Sequence, residues 1–320
     1  MDLTPKMVAT LAFRNDRIES AERQVRQAAA DKHHPVCVVR GDAIAIACKG
    51  LDMDGLRSHP GFHCFFDGFL RNGSSGQRLP YSRIARFRSK TNGTKFWVYS
   101  QRLFTHLPNF RICFYPDDWR GLRWEQLGPV LEFAEYPKIV RLEVAFDFGP
   151  KSGIDSAFVR QHAIFGKCEP TSVMVQQNQD NWGQRGGTIF ARSYFKEQIG
   201  AHRVELQLNN RYLRRHHLDW ISDFPRLVNL LPNRQIFIAS IDEQRLITWL
   251  RNRLGKSPDE TLQILKNLHA LEGNLIEALE YLRQDEHLAN TRRLLIPLDT
   301  NKLVLQALKR WAKKWVNIQI

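Results

Sequence analysis

The sequence predicts an α+β protein, with an antiparallel-sheet domain over about residues 1–220 and a helical region over 221–320. Three features point to this. Hydrophobic residues alternate with polar ones, the strand period, in several segments between 36 and 208. Asn92-Gly93 lies between two such segments, as in a hairpin. After about residue 220 the chain carries helix caps and helical spacing instead.

The elements follow in order. Ile18, Ala21, Val25 and Ala28 recur at helical spacing and predict a helix over 16–30. Segments 36–39 and 43–47 read as strands either side of a Gly41-Asp42 turn. Segments 84–89 and 95–100 form the Asn92-Gly93 hairpin, and 110–115 is another strand. A helix fits 122–133, tilted or shortened by Pro129. A strand over 140–148, a short helix over 154–165, and strands over 171–177, 188–196 and 203–208 complete this part. Beyond it, Ser240 and Glu243 have capping-box spacing. Ser257, Pro258 and Glu260 give an N-cap, a first-turn proline and a reciprocal acid. Asn274 and Glu277 start a third helix. In a last helix over 301–316, Leu305, Leu308, Trp311 and Trp315 share one face and lysines lie largely elsewhere, which suits packing against the body or duplex recognition.

Charge narrows the partners. The 320 residues carry 47 Lys and Arg against 33 Asp and Glu, a net +14, which draws polyanions. Nucleic acid is the first expectation. No apolar run reaches the roughly 18 residues a membrane helix needs. Arg14, Asp16 and Arg17 interrupt the place of a signal-peptide core, so a cytoplasmic, non-membrane protein is expected. The five cysteines include no CxxC pair, and the histidines no HExxH, so neither a disulfide framework nor a structural zinc site is expected.

Three strands share an unusual wet face. Along 139–148, Arg141, Glu143 and Asp147 oppose Leu142, Val144, Phe146 and Phe148. Along 187–196, Arg192, Tyr194 and Lys196 oppose Ile189, Ala191 and Phe195. Along 202–208, Arg203, Glu205 and Gln207 oppose Val204, Leu206 and Leu208. If these strands are neighbours, Glu143, Asp147 and Glu205 are a ligand set for Mg²⁺ or Mn²⁺, hard ions that take oxygen donors. Tyr194 is then a candidate nucleophile toward phosphorus. A phenol is weakly nucleophilic at neutral pH and needs a cation beside it. Arg192 and Lys196, two residues either side, are placed to contact the phosphate or lower the phenol pKa. The same pattern also suits a plain solvent-facing sheet laced with surface ion pairs.

These segments resemble the Rep_trans family, replication initiators of small plasmids and some phages that replicate by the rolling-circle route. The resemblance rests on Phe110-Arg-Ile-Cys-Phe-Tyr115, Arg141-Leu-Glu-Val-Ala-Phe-Asp-Phe148, Phe190-Ala-Arg-Ser-Tyr-Phe-Lys196 and Arg203-Val-Glu-Leu-Gln-Leu208, in the family's order. It implies a Rep-type catalytic sheet domain, with the helical C-terminal region a candidate for origin binding. It also implies that Tyr194 attacks a phosphodiester of a single-stranded or hairpin origin, becomes joined to the 5′ phosphate and frees a 3′ hydroxyl. Glu143, Asp147 and Glu205 would hold or flank the metal. A host helicase and a second copy of the chain are candidate partners. Three positions depart from the pattern. Cys113 stands where the family has an acid, Glu143 where it usually has Asp, and His202 where it often has Trp; an exposed His202 is expected.

DNA contacts are expected from the cationic stretch 81–120, where Arg86, Arg88 and Lys95 interleave with Trp97 and other aromatics that are either base-stacking or core. Arg203, and the cluster Arg211, Arg214 and Arg215, are further candidates. Two other readings fit the residues: a mobilisation relaxase with the same chemistry, and a non-catalytic DNA-binding regulator.

Overall fold

The computed structural model describes residues 37–70, 80–116, 121–165, 179–184, 186–231, 236–271, 275–284 and 291–315. The helix expected over 16–30 and the strand over 171–177 lie outside them. The centre is one antiparallel sheet of nine strands: β1 (Cys37–Cys48), β2 (Phe62–Phe69), β3 (Tyr81–Ser89), β4 (Lys95–Arg102), β5 (Phe110–Tyr115), β6 (Lys138–Phe148), β7 (Gln179–Trp182), β8 (Ile189–Lys196) and β9 (Ala201–Asn209). Their spatial order is β7-β8-β9-β6-β1-β5-β4-β3-β2. The three strands that share the polar pattern are therefore adjacent, as β8-β9-β6.

Alternation gives the sheet two unlike faces. On one, Val39, Ile44, Phe96, Val98, Ile112, Phe114, Leu142, Val144, Phe146, Val204, Leu206 and Leu208 are buried in the main core. Helix α1 (Met53–Ser58), α2 (Trp124–Leu131), α3 (Ser156–His162) and α4 (Asn210–Arg215) each add apolar side chains to that core or pack against it. The other face carries long polar and aromatic side chains that stay half-exposed, among them Arg86, Arg88, Trp97, Arg111, Tyr115, Arg141, Arg192 and Tyr194.

The hairpin forms as expected, with Gly93 in the left-handed region at φ 70°. The Gly41-Asp42 turn does not. The chain runs straight through as the twelve-residue β1, and the register against β6 slips between Gly41 and Ala43, leaving Asp42 as the extra residue of a β-bulge. Pairing on both sides holds the backbone extended where two turn-prone residues alone suggest reversal. Strands β2 and β7 carry no clean alternation; β2 falls in the strand-like stretch 36–115 without being singled out there, and β7 was not expected.

Helices α5 (Glu243–Leu254), α6 (Pro258–Ala270), α7 (Leu275–Gln284) and α8 (Thr300–Ala312) follow. Ser257 and Glu260 make the expected capping box on α6. Ser240 is not a cap; it lies in strand β10 (Phe237–Ile241), and the Asp242 side chain accepts the Arg245 N–H at the start of α5. β10 pairs with Ala163–Ile164 and Leu295–Pro297 in a small second sheet. Parts of α5, α6 and α7 share a separate cluster around Leu246, Leu250, Ile264, Leu268 and Leu282. Helix α8 instead returns to the sheet and packs across β1, burying Val304, Leu308, Trp311 and, just beyond its end, Trp315 in the main core. Leu305 is only half-buried there. No helix of the described residues is long and apolar enough to cross a membrane.

Leu142 sits on the central strand β6, fully buried. Leu142→Ala is expected to lower stability by about 2–5 kcal/mol, read as a shift in the urea midpoint. The loss should leave the open face's chemistry intact, since Leu142 points away from it.

Candidate functional site

Direct pairing sets the side chains of the open face in rows. Arg192 lies opposite Glu205, and Glu205 opposite Ala145; Tyr194 lies opposite Arg203, and Arg203 opposite Asp147. Paired residues point to the same side of a sheet, so chemistry from three separate stretches of sequence converges beside β1.

Tyr194 is half-buried, and its hydroxyl donates to Glu205 Oε1 at 2.6 Å. Arg192 Nε donates to Glu205 Oε2, and its guanidinium lies 5.7 Å from the Tyr194 ring centre. Glu143 accepts from Arg141 at 2.6 Å, with Arg192 4.0 Å away. Burial raises the Tyr194 pKa, and the Glu205 charge and hydrogen bond raise it further, against Arg203 and Arg192. The phenol pKa is therefore not lowered overall as the sequence suggested: burial, with the carboxylate that receives its hydrogen bond, outweighs the cations. Lys196 is half-buried on the same face, with a pKa lowered by burial and by Arg203.

The acids divide differently from the expected set. Ligand oxygens of Asp42, Glu143 and Glu205 all lie within 4.8 Å of one another. Burial raises the Glu143 pKa and neighbouring Glu205 and Asp42 add to the rise, opposed by Arg141 and Arg192. Asp147, expected as a ligand, is outside this group. Arg203 grips it by two bonds of 2.5 and 2.9 Å, and Arg40 Nε adds a third of 2.5 Å. Burial alone would raise its pKa, but the bonds and charges of Arg203 and Arg40 hold it below the ordinary carboxylate value. Asp42 takes its place in the cluster because the bulge turns it toward Glu143, which is paired with the next residue, Ala43.

Arg203 is likewise not a DNA contact. It is 1% exposed and spends its donors on Asp147, on Asp42 at 2.7 Å and on Glu205 at 3.4 Å. His202 is not exposed either. It is buried on the core side, bonded to Ser193 at 2.6 Å, and burial lowers its pKa. The sheet separates it from Tyr194. Cys113 lies on the open face opposite Ala45 and Trp97, away from the acids, its thiol pushed up by burial.

Arg86, Arg88, Lys95 and Trp97 stand half-buried on the open face, whereas Phe87 and Phe96 are core. Arg211, Arg214 and Arg215 are exposed on α4, which leaves the end of β9 remote from Tyr194. Arg214 borders a cleft of about 640 Å³ with Lys49, Arg102 and Lys138.

The chain matches no family model, and no curated protein matches it.

Folding lowers the Asp147 pKa, so its contribution to stability is complete above the ordinary value of 3.8 and is lost as pH falls below it. The wild-type denaturation midpoint is expected to fall on acidification below that value, and Asp147→Asn to show less of the fall. At pH 7, Arg203→Met is expected to cost about 3–5 kcal/mol, because it strips a buried carboxylate of its main partner.

Proposed function

We propose that this protein nicks and rejoins DNA through Tyr194, as a rolling-circle replication initiator with a Rep-type catalytic sheet. The observation that carries this reading is the 2.6 Å hydrogen bond from the Tyr194 hydroxyl to Glu205, beside a cluster of three carboxylates on a cationic face. A tyrosine whose proton already points at a carboxylate has a built-in general base. The surrounding Arg141, Arg192 and Lys196 suit a phosphodiester.

In the proposed reaction the Tyr194 oxygen attacks phosphorus and its proton passes to Glu205. The tyrosyl O–P bond forms as the bond from phosphorus to the 3′ oxygen breaks. The strand's 5′ phosphate stays on Tyr194, and the departing 3′ oxygen takes up a proton as a free hydroxyl. Attack by a 3′ hydroxyl reverses each step, so rejoining needs no external energy source. Arg192 is the residue to neutralise the non-bridging oxygens, because it already reaches between Tyr194 and the acids.

The oxygen-only donor set of Asp42, Glu143 and Glu205 fits a hard divalent ion such as Mg²⁺ or Mn²⁺. Burial chiefly raises the Glu143 pKa and the nearby Glu205 and Asp42 add to the rise, a cost that a cation bound among the acids would relieve. When bound, the ion would supply Lewis-acid stabilisation of charge on phosphorus oxygens. Asp42 would then stand in for the acid the family pattern has at Cys113. A cytoplasmic location, a helicase partner and a second copy of the chain belong to the same proposal.

The test uses labelled single-stranded DNA with Mg²⁺ or Mn²⁺. A covalent protein–DNA adduct is expected with the wild type and none with Tyr194→Phe, which keeps DNA binding. Glu205→Gln should slow adduct formation by about 10²–10⁴-fold. Wild-type biological activity in Tyr194→Phe would leave the non-catalytic regulator as the better reading.

A further inference from the structure

At the other end of the open face, three side chains from three strands meet without belonging to the core. The Arg86 guanidinium on β3 lies 5.1 Å from the ring centre of Phe66 on β2 and 4.9 Å from that of Trp97 on β4. Tyr115 on β5 continues the row, its ring 4.9 Å from Trp97. Phe66 is 42% exposed at the sheet's edge strand, and Arg86 Nε is buried without a hydrogen-bond partner. Phe87 and Phe96, on the opposite face of the same strands, stack at 5.0 Å inside the core. The core therefore has its own aromatics, and the outer set is surplus to it.

We infer that Phe66, Arg86 and Trp97 form a clamp for an unpaired base of a single DNA strand. Rings offer a π-face to any unstacked base, and a guanidinium lying flat against rings offers both a stacking plane and a charge for phosphate. Arg88, beside them on the same face, extends the positive charge, so the surface is complementary to a polyanion with exposed bases. A paired duplex keeps its bases stacked inside and presents no ring to the clamp. An apolar protein partner would bring no counter-charge for the guanidinium.

The inference deepens the strand-transfer reading and rests on it for the direction of the strand. Trp97 lies five strands from Tyr194 in the sheet order. At ~4.8 Å per strand the two are ~24 Å apart across the sheet. The row through Trp97 meets β6 at Arg141, and the row through Tyr194 meets it at Asp147. That offset adds about 20 Å along the strands at ~3.3 Å per residue, for roughly 30 Å in all. A stacked strand covers this in on the order of ten nucleotides. The clamp would thus hold DNA well away from the scissile phosphate and select for a region already melted.

The test is binding alone, made in the Tyr194→Phe background so that no cleavage intervenes. The probes are an oligothymidylate of about 15 nucleotides, long enough to span that distance, an abasic strand of the same length, and a duplex. Trp97→Leu is expected to weaken oligothymidylate binding about tenfold or more, Trp97→Phe to keep most of it, and neither to change binding of the abasic strand. Phe66→Leu, at an exposed position that leaves folding intact, should act in the same direction. Undiminished oligothymidylate binding by folded Trp97→Leu and Phe66→Leu would overturn the clamp. So would an equal loss on the abasic strand or the duplex. Failure of adduct formation in the Tyr194 experiment would not touch these binding results, so the two readings fail separately.

Discussion

A single buried cation organises the open face. The Arg203 guanidinium is 1% exposed and reaches acids on three strands: Asp147 on β6, Asp42 on the β1 bulge and Glu205 on its own β9. A charge removed this far from water persists only with partners close by, and each partner is fixed in return. Asp147 is neutralised and withdrawn from the surface. Asp42 is drawn toward the neighbouring strand. Glu205 keeps one oxygen for Arg203 and Tyr194 together and the other for Arg192. The spacing of Asp42, Glu143 and Glu205 is therefore a property of an ion network and not of the backbone alone.

How much of this was readable in the sequence depends on the physics at each position. The shared polar faces of β8, β9 and β6 were legible because each strand alternates and carries unusual polar residues on one side; that the three are neighbours was a condition the sheet order supplies. The hairpin was legible because Asn-Gly accepts the dihedrals that a tight reversal needs. The bulge was not. Gly41-Asp42 has turn chemistry, and only pairing with β6, more than a hundred residues away in sequence, keeps it extended. A glycine inside an apolar run does mark bulges as well as turns, so the signal for Asp42 was present but two-valued. The roles of Asp147 and Arg203 were hidden for another reason. Alternation tells which face a side chain takes, but not which acid two arginines will sequester. His202 was expected to be exposed, although strand period puts it on the face of Val204 and Leu206; on that core side Ser193 satisfies its ring nitrogen.

The two faces of the sheet divide labour between stability and chemistry. Branched and aromatic residues on the inner face, covered in part by α8, hold the strands in register. That register, with the β1 bulge and the Arg203 network, decides which polar groups meet on the outer face. A slip of one residue in β8 would send Tyr194 into the core and bring Ser193 out. The candidate site therefore depends on Leu206, Val204 and Phe146 as surely as on the acids, although none of the three can touch a substrate.

The resting state of Tyr194 constrains the proposed reaction. Burial and Glu205 keep the phenol protonated, and Arg192 is engaged with Glu205 and lies near Glu143 instead of standing free for an anion. An already ionised phenolate beside three carboxylates would add negative charge where phosphate, also negative, must approach. A neutral phenol with its proton directed at Glu205 avoids that repulsion, and the proton need move only as the bond to phosphorus forms. Asp42, Glu143 and Glu205 would hold a divalent cation, which would supply positive charge for the phosphate oxygens beside Arg192. On the proposed mechanism the nucleophile is thus quiet until a phosphodiester reaches it, which suits an enzyme that must cut one bond and later restore it.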